Sequence, residues 1–206
     1  MKQFSNKYML LYALGLAAMV ALVLTIVATS LKPIQDKNRD AETKQMILKT
    51  IGIEATRDNA AELYTTYIIE KTNEKGLPYY VFSPRGKGLY RYGGVIIPLK
   101  GNGLWGPIWG YIALADDSFS TVVGAVFDHQ SETPGLGAEI ATDKFAKRFI
   151  GKRMDLYPIK LTKNADKDSF YQVDAISGGT MTSNGVSDML EKAFNDYSDI
   201  VEWFLI

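Results

Sequence analysis

Residue types that could do chemistry are concentrated in Asp174-Ala-Ile-Ser-Gly-Gly-Thr-Met-Thr-Ser-Asn-Gly185. Gly178 and Gly179 are adjacent, so the backbone can take φ > 0 and approach a ligand with no Cβ in the way. Thr180, Thr182 and Ser183 set three hydroxyls beside them, where Val186, Met189, Leu190, Ala193 and Phe194 begin a helical face. A helix start has N–H groups without intrahelical partners and the positive end of the macrodipole, which suits a phosphate or another anion. The same residues also suit a strand, a glycine turn and a Ser/Thr N-cap with no ligand, and on spacing alone that plainer reading is the commoner one.

Two further loops are rich in glycine. Gly101-Asn-Gly-Leu-Trp-Gly-Pro-Ile-Trp-Gly110 places Trp105 and Trp109 beside glycines, so backbone could approach a flat ligand while an indole supplies an apolar wall. Alone, it reads more readily as a tight loop with two core aromatics. His129-Gln-Ser-Glu-Thr-Pro-Gly-Leu-Gly137 follows an apolar run, and Pro134 with its glycines fixes a loop whose N–H groups could serve an anion or a ring carbonyl. His129 reads as a half-buried histidine satisfied by the loop backbone, and Glu132 on its own reads equally as a surface carboxylate.

Composition excludes more than it selects. There is no cysteine, which removes disulfides, thiolate nucleophiles, iron–sulfur ligation and Cys-rich zinc sites. His129 is the only histidine, so a His-rich metal centre within the chain is excluded as well. Lys+Arg and Asp+Glu balance at 23 each, and no global field invites nucleic acid. Any redox role needs a bound cofactor.

The elements that must position these loops begin with Met9 to Leu31, an uncharged run of about 23 residues, long enough to span a bilayer. It reads as a retained transmembrane helix after a short tail (1–8); a cleaved signal peptide competes, but the run exceeds the usual apolar region and no A-x-A site closes it. Lys/Arg counts favour a cytoplasmic C-terminal side, yet long domains translocate largely regardless of charge, so charge leaves the topology open. Lys32-Pro33 is expected to break the helix and 32–45 to form a solvated stalk. The domain proper is expected over 46–206, with a helical face at Met46, Ile47, Leu48 and Ile51 stopped by Gly52. A second helix starts near Asp58 and carries Ala61, Leu63, Tyr64, Tyr67 and Ile68.

From Tyr79 the period changes to short runs between turns: Tyr79–Phe82, Leu89–Tyr92, Val95–Leu99, Ile108–Ala113 and Val122–Asp128, with a hairpin turn at Asp116-Asp117-Ser118. Further on, the pattern predicts a helix over Glu139–Phe149, strands at Leu156–Ile159 and Tyr171–Asp174, and a helix or helix pair to Phe204. The fold class expected is α+β: one anchored domain with a mainly antiparallel sheet and flanking helices.

Taken together, the three loops resemble the NqrC family of the Na⁺-translocating NADH:quinone oxidoreductase, and more distantly the corresponding flavin-bearing subunit of the related Rnf complex. The resemblance rests on the N-terminal anchor, Gly103-Leu-Trp-Gly-Pro107, Glu132-Thr-Pro-Gly-Leu-Gly137, and a flavinylation motif met by Asp174, Ser177, Gly178, Thr180 and Thr182. Gly179 stands where the family usually has alanine, a change that loosens the turn.

This resemblance implies that Thr182 carries FMN through a phosphoester bond, installed by a separate Mg²⁺-dependent flavin transferase using FAD. It implies Asp174, Ser177, Gly178, Gly179, Thr180, Met181 and Ser183 around the phosphate and ribityl chain. Glu132, Thr133, Pro134, Gly135, Leu136, Gly137 and Trp105 are expected near the ring. It further implies a single-pass inner-membrane protein in contact with lipid, its domain periplasmic, relaying electrons among the other subunits of the complex. No G-x-G-x-x-G stands in a strand–helix setting, so NADH oxidation is expected on another subunit, and no catalytic or metal-binding residue is expected here. The alternatives are the Rnf protein and an anchored assembly or binding module without a cofactor.

Overall fold

In the computed structural model, which describes residues 5–82, 93–115 and 120–202, the N-terminal apolar run lies in one helix, α1 (Asn6–Thr50). The chain divides into two units, 1–42 and 43–206. In the first unit α1 is long and apolar enough to cross a membrane, and none of its apolar stretch is buried against protein. The break expected at Lys32-Pro33 does not occur: Pro33 lies inside α1. A proline removes one rung of the helix at about 3 kcal/mol. The good helix formers that follow, from Gln35 to Lys49, propagate the helix past it.

The second unit begins with the end of α1, which closes as sequence predicts. Gly52 has φ +76°, its N–H donates to the Lys49 carbonyl at 2.9 Å, and Ile53 N–H reaches back to Leu48 at 3.0 Å. This is a Schellman cap, and the left-handed residue in it carries no Cβ. Gly52→Ala is expected to cost about 1 kcal/mol, the left-handed penalty of an L-residue, read as a lowered melting midpoint. α2 (Ala60–Tyr67) starts one residue later than expected, with Asn59 at the cap; Asn59 Oδ1 accepts the Thr56 N–H at 2.7 Å instead of capping the helix.

Ile68, expected in that helix, opens strand β1 (Ile68–Thr72), which pairs antiparallel with β2 (Pro78–Phe82). The sheet continues in chain order through β3 (Gly94–Asn102), β4 (Pro107–Ala115) and β5 (Thr121–His129), every pair antiparallel. The expected strand at Leu89–Tyr92, the turn at Asp116–Ser118 and the last residues to Phe204 lie outside the described residues.

Alternation along these strands splits the core into two layers. One face of the sheet buries Ile96, Ala113 and Ala115 against Ile47, Leu48 and Ile51 of α1 and Tyr64 of α2. The other buries Val95, Ile97, Leu99, Ile108, Ile112 and Phe127 beneath α4 (Thr180–Asp196), whose Val186, Met189, Leu190 and Ala193 form the apolar face predicted from sequence. α4 lies close on β3: a Cβ on Gly185 would strike the Asn102 carbonyl, and one on Gly101 would meet Met189 Cβ at 2.8 Å. That close seat fixes the height of the first turn of α4.

Two further expectations are corrected. The single helix at Glu139–Phe149 is a 3₁₀ turn (Gly137–Ala141), a four-residue α3 (Asp143–Ala146) and a second 3₁₀ turn (Lys147–Phe149). Thr142 interrupts it in extended conformation, its hydroxyl accepting the Phe145 N–H at 3.2 Å as an N-cap. The strand expected at Leu156–Ile159 is displaced to β6 (Lys160–Thr162), parallel to β7 (Gln172–Asp174), because Pro158 has no N–H to give a ladder. α5 (Ser198–Glu202) follows α4.

Candidate functional site

The β3–β4 hairpin turn, the loop after β5 and the start of α4 converge. Asn102 and Pro107 pair across the hairpin, and Gly103 N–H donates to the Gly106 carbonyl at 2.8 Å, so Leu104 and Trp105 stand at its tip. Beyond β5, Thr133-Pro134-Gly135-Leu136 is a type II turn: Leu136 N–H meets the Thr133 carbonyl at 3.1 Å and Gly135 has φ +74°. Gly178, with φ +75°, turns the chain from β7 toward α4.

At their meeting point lies a buried pair spanning 50 positions of sequence. Thr182 Oγ1 donates to Glu132 Oε2 at 2.5 Å. Glu132 is 5% exposed and Thr182 2% exposed, so Glu132 is not the surface carboxylate that it could have been. Its other oxygen, Oε1, accepts the Trp105 N–H at 2.8 Å. Two glycines make room for it: a Cβ on Gly103 would come within 2.5 Å of Oε1, and one on Gly137 would run into both Oε2 and Thr182 Oγ1.

Burial raises the Glu132 pKa, but hydrogen bonds from the Thr182 hydroxyl and from the backbone of Trp105 and Leu104 outweigh it and hold the carboxyl below its ordinary value. Since the folded value is the lower one, Glu132 stabilises the fold above its unfolded pKa. That contribution is lost as pH falls through the folded pKa. His129 is half-buried and its Nδ1 accepts the Glu132 N–H at 3.2 Å, in agreement with the expected structural histidine.

The remaining predicted residues divide. Thr133, Pro134, Gly135, Leu136, Ser177, Gly178, Thr180 and Met181 are exposed around the pair, whereas Gly137 and Gly179 are buried beside it. Ser183 faces away, its Oγ accepting the Ile176 N–H at 3.0 Å and tying the turn to α4. Asp174 also lies apart: Oδ1 accepts the Ala165 N–H at 2.9 Å and its carbonyl accepts from Arg148 at 2.9 Å. Asp174 therefore shapes the approach to the turn.

Two features were not anticipated. Gly179, not a threonine or serine, is the N-cap of α4, and no side chain caps that helix start. Leu104, whose only sequence signal was its place between Gly103 and Trp105, is exposed with Trp105, Leu136 and Met181, so four large apolar side chains rim the segments that carry the pair. Among the described residues no cluster of His, Asp and Glu suits a metal ion. The arrangement offers an anion-favouring helix start with an apolar rim and a hydroxyl aimed at a carboxylate.

Comparisons with known proteins agree with this architecture. Residues 103–195 match the FMN-binding domain family. The chain is 34% identical to the NqrC protein of the Na⁺-translocating NADH-quinone reductase of Chlamydia caviae, a match covering 52% of this chain and 40% of that relative. It is 27% identical to the NqrC of Haemophilus ducreyi, over 87% of this chain and 86% of the relative. It is also similar to the crystal structure of NqrC from Parabacteroides distasonis, with TM-score 0.71 and 32% identity, covering 83% of this chain and 96% of that one. With an apolar N-terminal helix, an α+β domain and this likeness over nearly the whole of a solved NqrC, the chain belongs to the NqrC family of Na⁺-translocating NADH-quinone reductases, built on an FMN-binding domain.

Proposed function

We propose that this protein is a membrane-anchored flavin carrier, with FMN joined through its phosphate to Thr182 and the domain on the periplasmic side. It relays electrons among the other subunits of an NADH:quinone reductase that exports Na⁺. The observation that carries this reading is the start of α4: an N-terminus with no side-chain cap, bearing Thr182 in its first turn and surrounded by exposed Leu104, Trp105, Leu136 and Met181. First-turn N–H groups without side-chain partners favour a phosphate, and an apolar rim favours a flat ring system.

The residues fit FMN with one condition. The rim and the helix start are exposed, but Thr182 Oγ1 is turned inward onto Glu132, so attachment requires local rearrangement of the surrounding loops. When bound, FMN supplies one-electron chemistry that no side chain of this cysteine-free protein offers. The chain's own part is to tether the phosphate at Thr182, to wall the ring with Trp105 and Leu136, and to keep water from its buried side. α1, by its length and apolarity, holds the domain at the membrane among its partner proteins. Maturation falls to a separate flavin transferase with FAD as donor.

The test is expression of the full chain with a flavin transferase, followed by denaturing electrophoresis and flavin fluorescence. Wild type is expected to fluoresce with the mass increase of one FMN less water, and Thr182→Val to lose both. A dark wild type, or a Thr182→Val band as bright as wild type, overturns the reading.

A further inference from the structure

Glu132 is a buried carboxylate whose partners are a hydroxyl and backbone N–H groups, and among the described residues no lysine or arginine forms an ion pair with it. Holding a charge inside protein without a lysine or arginine partner is costly, and a neutral glutamine would keep one of the two accepting oxygens at less cost. The protein nevertheless keeps an ionisable group here, on the one hydroxyl assigned to flavin attachment. It makes the space with Gly103 and Gly137, where any Cβ would collide with the carboxylate.

We propose that Glu132 is the residue of this chain that aims the Thr182 hydroxyl and receives its proton when the flavin phosphoryl group is transferred. The inference rests on the covalent-flavin reading above. The chemistry asks for such a group, because a neutral threonine hydroxyl is a weak nucleophile and phosphoryl transfer is governed by positioning and charge placement. In protein kinases an aspartate accepts the proton of the attacked hydroxyl. Oε2 stands in that relation to Oγ1, at 2.5 Å.

The step balances with an FAD-class dinucleotide as donor. Thr182 Oγ1 forms a bond to the phosphorus on the flavin side, and the bond from that phosphorus to the bridging pyrophosphate oxygen breaks. AMP leaves with that oxygen and its electron pair, and the hydroxyl proton passes to Glu132 Oε2. No oxidation or reduction occurs. The product is a phosphodiester with one negative charge beside a neutral Glu132, so two anions are not forced together at the site. Because Oγ1 is buried, the reaction begins with displacement of neighbouring loop by the transferase.

The experiment measures single-turnover attachment in the full chain in detergent micelles, with transferase, FAD and Mg²⁺, following band fluorescence and intact mass. Glu132→Gln keeps the shape and one accepting oxygen but sets an amide NH₂ in place of the other, and so loses the proton acceptor. We expect attachment about 100-fold slower or more, measured at a temperature where the variant is still folded, with Glu132→Asp in between. Glu132→Ala is expected to regain speed when formate is supplied as a small carboxylate. Should Glu132→Gln prove unstable, formate rescue of Glu132→Ala decides the matter, and absence of rescue overturns the inference. Attachment to Glu132→Gln at the wild-type rate overturns it too, while leaving the covalent-flavin reading intact. A wild type that takes no flavin fails the covalent-flavin reading and this inference with it.

Discussion

Gly137→Ala is expected to destabilise the domain by about 3–5 kcal/mol and to prevent flavin attachment, although it adds only a methyl group. The new Cβ would fall on both Glu132 Oε2 and Thr182 Oγ1, two atoms already in hydrogen-bond contact within the interior. Overpacking of a dense site costs about 1–3 kcal/mol, and a hydrogen bond to a charged group contributes about 1.5–3 kcal/mol. Both losses apply here, since the methyl can be admitted only by parting the pair. Neither partner moves freely: Glu132 is tied to the hairpin tip through Trp105, and Thr182 sits in the first turn of a helix seated closely on β3. With about 2–4 °C per kcal/mol for a domain of this size, the melting temperature should fall by roughly 10 °C. Gly135→Ala is the comparison, since nothing lies within 4 Å of a Cβ there and only its φ of +74° resists substitution. If Gly137→Ala melts no lower than Gly135→Ala, the pair is not held as tightly as its geometry says.

What could be read in the sequence follows from how local each signal is. Gly52 was legible because a left-handed helix end is decided within a few residues. β3, β4 and β5 were legible because strands covered by core on both faces read as short, nearly continuous apolar runs between turns. β1 was not: only Ile68 of its five residues is buried, so this edge strand carries no sustained apolar run, and Ile68 fell in register with the preceding helix. The interruption at Thr142 was hidden in the same way, because a helix-period pattern does not reveal a capping hydroxyl that restarts the helix.

The site was legible in its parts and not in its assembly. Glu132 and Thr182 both stood in loops singled out by their glycines, yet nothing local says that the carboxylate is buried or that it meets the hydroxyl. That follows from the height of α4 on β3, which Gly101 and Gly185 set at a distance from both residues. The N-cap shows the converse error. Hydroxyls beside a helix start suggest caps, but the chain places Gly179 at the cap, turns Thr182 onto Glu132 and spends Ser183 on the Ile176 N–H.

Phe149→Ala should be as destabilising as Gly137→Ala, by about 3–5 kcal/mol, and yet leave flavin attachment intact. Phe149 is fully buried, with its ring centroid 4.9 Å from Phe127 on β5 and 5.3 Å from Phe145 on α3. Phe127 and Phe145 are themselves 5.4 Å apart, edge to face. Removing one ring of three forfeits its burial and two aromatic contacts and leaves a cavity that short 3₁₀ segments on either side of α3 collapse into only in part. Phe149→Leu, which fills part of the space, should lose less than half as much. The cluster packs among its own rings, and the hydrogen bonds of the Glu132–Thr182 pair run instead to Trp105, so the two properties should separate. At a temperature where Phe149→Ala is still folded, it should accept flavin at the wild-type rate while melting well below wild type. An attachment rate that falls with stability would mean that the aromatic cluster sets the geometry of the pair, and that the site reaches deeper into the core than its hydrogen bonds indicate.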